Sequence, residues 1–310
     1  MTSPPYAGAL RDYSWQSFAL WDGNMSCTHT FERRPSGDYC TTCGAFRGQL
    51  GHEPNADDYV KHLMTVLTAV HRVLKDEGSL YLNISDTYHD GALLGIPDMV
   101  CAEMRVDGWR KLEEIVWVKT NGMPESVSNR FSRRFEYLFH FVKSKSYFGN
   151  IDLTRIPPLH DRQPAIDKTK FVKHDTSVKR TGNVSYRDPL HSRPNHPLGK
   201  NPGNVWEINC AHEMGPHPAV YPLELCYRPM VASCPPGGTA LDPFCGIGTT
   251  LVMAKLLRRP AVGIEINPQF AEIARENLAS VDRETQTLST ILDQKEKDQS
   301  FSLDAFVAGK

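Results

Sequence analysis

Apolar residues recur at three- and four-residue steps between Asn55 and Lys75, at Tyr59, Val60, Leu63, Leu67, Val70 and Leu74. This spacing predicts an amphipathic helix, with Asn55 able to cap its start and Gly78 following its end. Ser79–Ser85 reads as a strand, and Asp86 directly after it stands where open α/β sheets place ligand groups, although a surface turn also accounts for an Asp there. Ile96–Val106 reads as a second helix, and Leu112–Lys119 and Glu136–Lys143 as strands. Between those strands lies a polar loop, Asn121–Arg134, with Arg130, Arg133 and Arg134. Further on, Val205–Ile208 is strand-like and Pro222–Ser233 helical. From Glu284 to Lys310 the chain is polar and charged, which predicts a peripheral tail. No internal repeat is visible.

The stretch Thr239–Thr250 combines two patterns. A short apolar strand runs into Asp242-Pro243-Phe244-Cys245-Gly246-Ile247-Gly248, a helix starts at Thr249-Thr250, and a second apolar strand, Ala261–Ile266, ends on Glu265. Glycines at 246 and 248 allow close backbone approach to a ligand, the helix start offers unpaired N–H groups, and an acid at the next strand end can hold ribose hydroxyls. A tight strand-to-helix turn requires glycine whether or not anything binds. The acid at Glu265 favours binding.

Length and composition set bounds. A chain of 310 residues, 40% of them apolar, can bury a large core as one large or two ordinary domains. It has no run of about 18 apolar residues, and Met1–Tyr13 lacks the basic end and apolar core of a secretion signal, so a cytoplasmic location without membrane contact is expected. A formal charge of -1 gives no global sign of a polyanionic partner, so any nucleic-acid surface must be local.

Eight cysteines in such a chain favour metal or free thiols over disulfides. Cys27, His29, Cys40 and Cys43 form a C-x-H and a C-x2-C pair separated by turn-forming residues. Four such donors close a small loop around tetrahedral zinc, and the segment Trp21–Gly51 has too little apolar content to order itself without a staple. With all four positions used, the metal is expected to be structural. Free thiols are the alternative. Cys101, Cys210, Cys226 and Cys234 have no such pairing and read as core or incidental thiols.

At the N-terminus, Thr2-Ser3-Pro4-Pro5-Tyr6 is stiff: two prolines remove two N–H donors and fix two φ angles. Together with Asp242–Thr250, Gly263-Ile264-Glu265-Ile266-Asn267-Pro268, Leu82–Tyr88, Ile115–Lys119, Phe135–Phe141 and His217-Pro218-Ala219-Val220-Tyr221-Pro222, it resembles the DNA amino methyltransferases of the beta class. In that class the catalytic motif precedes the cofactor motif. The resemblance runs from about Thr2 to Leu278. It implies S-adenosylmethionine as methyl donor and an α/β fold, a Rossmann-like, seven-stranded mixed sheet flanked by helices. The two Trp- and Phe-containing strands then form its antiparallel edge. It further implies catalysis by Ser3, Pro4, Pro5 and Tyr6. The implied cofactor site comprises Asp86, His217, Pro218, Asp242, Phe244, Cys245, Gly246, Gly248, Thr249, Thr250, Glu265 and Asn267. The family supplies a strand just before its proline motif, for which this chain leaves no room. Either the chain begins inside the usual domain, or another segment fills the position, or activity is compromised.

Thr154–Gly203 holds ten Lys or Arg against four Asp, together with seven prolines, which predicts a loop-rich insertion that builds no core of its own. A merely solvated loop is one reading, and neutralisation of DNA phosphates the other. In the resembled family this segment reads the target, and Arg180, Asn183, Arg187 and Arg193 carry donors suited to base edges. The expected organisation is a catalytic half over 1–150 with a zinc loop at 21–51, a target-recognition insertion over 151–204, a cofactor half over 205–283 and a tail over 284–310.

An exocyclic base amine is a poor nucleophile because its lone pair is delocalised into the ring, so rigid acceptors must bind the amine protons. The Ser3 hydroxyl and Pro4 carbonyl are such acceptors, and Tyr6 offers a face to a base flipped out of double-stranded DNA. Three functions compete. The first is N4-cytosine methylation, since cytosine enzymes of the family often carry Ser at this position. The second is N6-adenine methylation on the same scaffold, and the third a non-catalytic DNA-binding subunit. For the enzymes, a restriction endonuclease of the same system is the natural partner.

Overall fold

The computed structural model of the chain describes residues 1–8, 17–34, 37–157, 196–211 and 220–281. In chain order the strands and helices are β1 (Ala19–Trp21), β2 (Phe31–Arg34), β3 (Gly37–Cys40), β4 (Phe46–Gly48), α1 (Ala56–Val73), β5 (Ser79–Ile84), β6 (Tyr88–His89), β7 (Ala92–Leu93) and α2 (Ile96–Val106). They continue with β8 (Arg110–Lys119), β9 (Phe135–Val142), β10 (Val205–Ile208), α3 (Leu223–Ser233), β11 (Ala240–Asp242), α4 (Thr249–Leu256), β12 (Ala261–Gly263) and α5 (Pro268–Ser280).

The helical spacing after Asn55 folds as expected. The Asn55 side chain accepts from the Asp58 N–H at 2.8 Å, and Asp57 and Asp58 stand in the first turn of α1, where the helix dipole favours anions. Its buried face, with Tyr59, Leu63 and Leu67, packs with α2 residues Val100 and Met104 over Leu82 and Ile84 of β5 and Phe139 and Phe141 of β9. The opposite sheet face, with Tyr81, Ile115, Trp117, Leu138, Trp206 and Ile208, is covered by Leu225 of α3. Successive β9 residues thus feed different cores, Leu138 one and Phe139 the other, as a period of two requires. At about 1.5–3 kcal/mol per fully buried side chain, these two layers dominate the stability of the fold.

The main sheet runs β10-β8-β9-β5, with β9 antiparallel to both neighbours and β10 parallel to β8. The antiparallel pair β8–β9 is therefore interior rather than an edge. Val205–Ile208 pairs outside β8 in register with Val116–Lys119 and buries Trp206 and Ile208. The two-stranded parallel sheet β11–β12 carries the glycine turn.

The residues preceding Ser3 lie between β5 and β11. Thr2 pairs in parallel with Leu82: its N–H donates to the Tyr81 carbonyl at 2.9 Å, and its carbonyl accepts from the Asn83 N–H at 2.9 Å. On the other side, the Met1 amine lies 3.5 Å from the Leu241 carbonyl, and the Thr2 hydroxyl donates to Asp242 at 2.6 Å. Met1 and Thr2 thus link β5 of the main sheet to β11 of the two-stranded sheet.

The segment read as a zinc loop contains regular structure. Strands β1-β4-β3-β2 form an antiparallel sheet. Strands of three or four residues show too little alternation to announce themselves in sequence. The β6–β7 hairpin is a second addition, turning at Asp90 (φ 48°) and Gly91 (φ 78°), the Asp-Gly pair suited to such turns.

Candidate active site

β5 leads into Ser85-Asp86, β8 ends on Lys119, and β11 leads into the turn Pro243–Gly246; all open on one cavity of about 700 Å³, to which Ser3, Pro4, Pro5 and Tyr6 also contribute. This is the size of a small-molecule pocket, and it lies outside the carboxyl ends of parallel strands.

The proline turn is held from three sides. Tyr59, buried on α1, donates to the Pro5 carbonyl at 2.9 Å, and the Thr87 hydroxyl donates to the Ala7 carbonyl at 3.0 Å. The Tyr6 hydroxyl donates to Glu136 at 2.6 Å and lies 3.2 Å from the Asn83 side-chain oxygen. Glu136 is itself buried, accepts from the Asn83 amide at 3.0 Å, and forms an ion pair with Lys119. Burial, followed by the adjacent Glu136 charge, pushes the Tyr6 phenol well above its ordinary pKa. Tyr6 is therefore a neutral donor with a fixed ring. Glu136, Lys119 and Asn83 are site residues that sequence reading did not single out. For Asn83 and Glu136 the signal was a buried polar residue in a largely apolar strand, which is legible only once strand pairing is known.

The cofactor candidates divide. Phe244, Cys245, Gly246, Thr249, Glu265 and Asp86 line the cavity. Glu265 accepts from the Gly246 N–H and the Asn267 N–H, each at 2.8 Å. Burial raises its pKa against those two bonds. Asp86 caps α2, accepting from the N–H groups of Ile96 and Gly95, each at 3.1 Å. Burial, then Asp242 and Glu265, pushes the Cys245 thiol up to about 12, which makes it no nucleophile.

The remainder sit behind the wall. Asp242, fully buried, accepts from Thr2, from the Tyr221 hydroxyl at 2.9 Å and from the Phe244 N–H at 3.1 Å. Thr250 is bonded to Tyr221 at 2.6 Å, and Asn267 caps α5 through the Gln269 N–H at 3.0 Å. Gly248 (φ 89°) is required by packing as much as by conformation, since a Cβ there would lie 3.1 Å from the Ala274 methyl. His217, Pro218, Arg180, Asn183, Arg187 and Arg193 lie outside the described residues, as does the tail over 284–310.

In the small sheet, one donor atom from each of Cys27, His29, Cys40 and Cys43 falls within 4.8 Å of all the others. The Cys27 and Cys40 sulfurs are 3.8 Å apart, and Cys43 sulfur is 3.4 Å from His29 Nδ1.

Residues 1–276 match a sequence family described as DNA methylase, the N6 and N4 amino methyltransferases. The chain is 31% identical to Type II methyltransferase M.SmaI of Serratia marcescens over 90% of this chain and 82% of that protein. It is 29% identical to M.XycI of Xanthomonas campestris pv. cyanopsidis over 90% and 80% of the two. Among solved structures, a PvuII DNA methyltransferase described as cytosine-N4-specific superposes with a TM-score of 0.59 at 16% identity, over 95% of this chain and 83% of that one, a likeness of fold.

Proposed function

The chain belongs to the DNA methylase family, as a beta-class, S-adenosylmethionine-dependent amino methyltransferase of DNA, and on that premise we propose that it methylates the exocyclic N4 of a cytosine flipped out of duplex DNA at a specific site. The observation that carries this reading is the Ser3–Tyr6 turn facing one cavity with the Phe244–Gly246 turn and Glu265.

The Ser3 hydroxyl and the Pro4 carbonyl accept the amine protons and localise the nitrogen lone pair. Tyr6, its hydroxyl tied to Glu136, presents its ring to the flipped base. S-adenosylmethionine, when bound, supplies an electrophilic methyl group. The lining fits it: Ile264 and Ile266 flank Glu265 with apolar surface suited to a base, and each Glu265 oxygen keeps acceptor capacity for ribose hydroxyls beyond its one backbone bond. Ser3, rather than an acid or amide, favours cytosine over adenine. The test is nucleoside mass analysis of DNA methylated in vitro. N4-methylcytosine is expected, and N6-methyladenine would transfer the same mechanism to adenine. The relatives' Type II names favour a protective role beside a restriction endonuclease.

We further propose structural zinc on Cys27, His29, Cys40 and Cys43. Zinc–sulfur bonds of about 2.3 Å and zinc–nitrogen bonds of about 2.05 Å put tetrahedral ligands about 3.8 Å (S···S) and about 3.6 Å (S···N) apart. The separations of 3.8 and 3.4 Å match this geometry. Elemental analysis should find one zinc per chain; none would reject the site.

A further inference from the structure

The four zinc-donor residues sit at the far end of a sheet whose near end is part of the active-site wall. From Cys43 the chain passes through β4 to Gln49 and Leu50, and β1 contributes Ala19 and Trp21; all four line the cavity. The next residue, Gly51, has φ 97°, and a Cβ on it would fall 2.4 Å from the Tyr6 carbonyl oxygen. Backbone therefore packs directly on the peptide of the residue that faces the target base.

The sheet has few apolar residues of its own. Cys40, Ala45, Phe46 and Leu50 are buried, and β2 is exposed over three of its four residues. A segment of this size does not hold a fold without a staple. Its polar contacts with α1 centre on His62, which is 2% exposed, stacked between Trp21 (centroids 5.0 Å) and Phe46 (5.8 Å) and bonded to Glu53 at 2.9 Å and Asp22 at 3.2 Å, while Lys61 donates to Asp22 at 2.7 Å. Glu53 also accepts from the Gly51 N–H at 2.7 Å. An ordered sheet thus positions Gly51, and Gly51 limits where the Tyr6 peptide can go.

We propose that metal binding at Cys27, His29, Cys40 and Cys43 controls turnover by holding β4 and Gly51 against the Tyr6 turn, so that zinc is a positioning element of the target-base pocket and not only a stabiliser of a peripheral loop. This rests on the zinc site and the base-facing role of Tyr6 given above. The cofactor side is built from other segments, the turn after β11 and Glu265.

The experiment measures methyl transfer from labelled S-adenosylmethionine to unmethylated phage genomic DNA by the full chain, together with zinc content and calorimetric cofactor affinity. Chelation that removes zinc is expected to lower kcat by about a hundredfold, the cost of roughly 1 Å of misplacement, with cofactor affinity unchanged and turnover restored by added zinc chloride. A second variant, Gly51→Ala, should keep its zinc and its cofactor affinity while losing kcat to a similar degree. Absence of zinc in the purified parent would overturn both the metal site and this proposal. Zinc-free enzyme with the parent's kcat, or Gly51→Ala with the parent's kcat, would overturn the coupling and leave the zinc site standing. Loss of cofactor affinity together with turnover on chelation would also overturn it, since the metal would then support the whole fold. An inactive parent marks failure of the methyltransferase reading instead.

Discussion

Tyr6 has two surfaces with separate tasks: its hydroxyl is consumed by Glu136 at 2.6 Å, and its ring borders the cavity. Loss of the ring should therefore remove base stacking, worth about 1–3 kcal/mol, without touching the cofactor wall. Tyr6→Ala is expected to lose most methyl transfer while calorimetry finds S-adenosylmethionine binding intact; a variant with the parent's turnover would take Tyr6 out of the mechanism. Glu265 divides its carboxylate between two backbone N–H groups and the cavity. Glu265→Ala should weaken cofactor binding, by about 1–3 kcal/mol, and leave duplex affinity alone. Equal cofactor affinity would exclude the acid from the site. The placement of both residues at the cavity was legible in the sequence because it rests on local motifs. The support from Glu136, Lys119 and Asn83 was not, because these residues lie far apart in the chain and meet only through the register of β5, β8 and β9.

At the scale of elements, the His62 contact between α1 and the small sheet makes its stability depend on pH. Burial lowers the His62 pKa, but the hydrogen bonds and charges of Glu53 and Asp22 outweigh it, and the net shift is upward. Lys61, also paired with Asp22, is the nearby cation. A raised folded-state pKa means stability that is fully present below the unfolded value of about 6.5 and lost as pH rises through the folded value. His140, stacked on Tyr81 and lowered to about 4 by burial, acts oppositely, losing stability as pH falls below about 6.5. The His62 contribution therefore appears only by difference. The gap in melting temperature between the parent and His62→Gln should be largest in mild acid and narrow as pH rises. A gap independent of pH would show that His62 contributes packing alone.

For the whole molecule, the main sheet and the β11–β12 sheet are linked at Thr2, which pairs with Leu82 and whose hydroxyl donates to the buried Asp242 side chain. Thr2→Val should cost about 1–3 kcal/mol, since it deprives a buried charge of a donor while keeping shape. Denaturant unfolding with an unchanged midpoint would count against Thr2 as a joint. We propose that the basic segment over 151–204, of which 158–195 lie outside the described residues, reads the target. If it follows the backbone of DNA, duplex affinity should fall with salt at a slope of about -0.9 per phosphate neutralised, and replacing Arg180 and Arg187 by Gln should flatten that slope. A double variant with the parent's slope and site preference would move recognition to the loop Asn121–Arg134.

The sequence by itself determined what short-range chemistry can encode. The capped helix α1, the glycine turn with its acid, the stiff proline turn and the Cys27-His29-Cys40-Cys43 cluster each lie within a short stretch or a regular period. Tertiary structure decided what depends on long-range pairing. It placed Val205–Ile208 outside β8, which made the expected edge pair interior. It also paired Thr2 with Leu82 of β5 and brought the Met1 amine to 3.5 Å from the Leu241 carbonyl of β11, contacts across more than seventy residues that no local pattern announces. The same rule sorted the glycine-turn residues. Asp242 and Thr250 belong to a motif read as ligand-binding, yet their side chains point into the joint between Thr2 and Tyr221, since only the path of the chain determines which face of a turn meets the cavity.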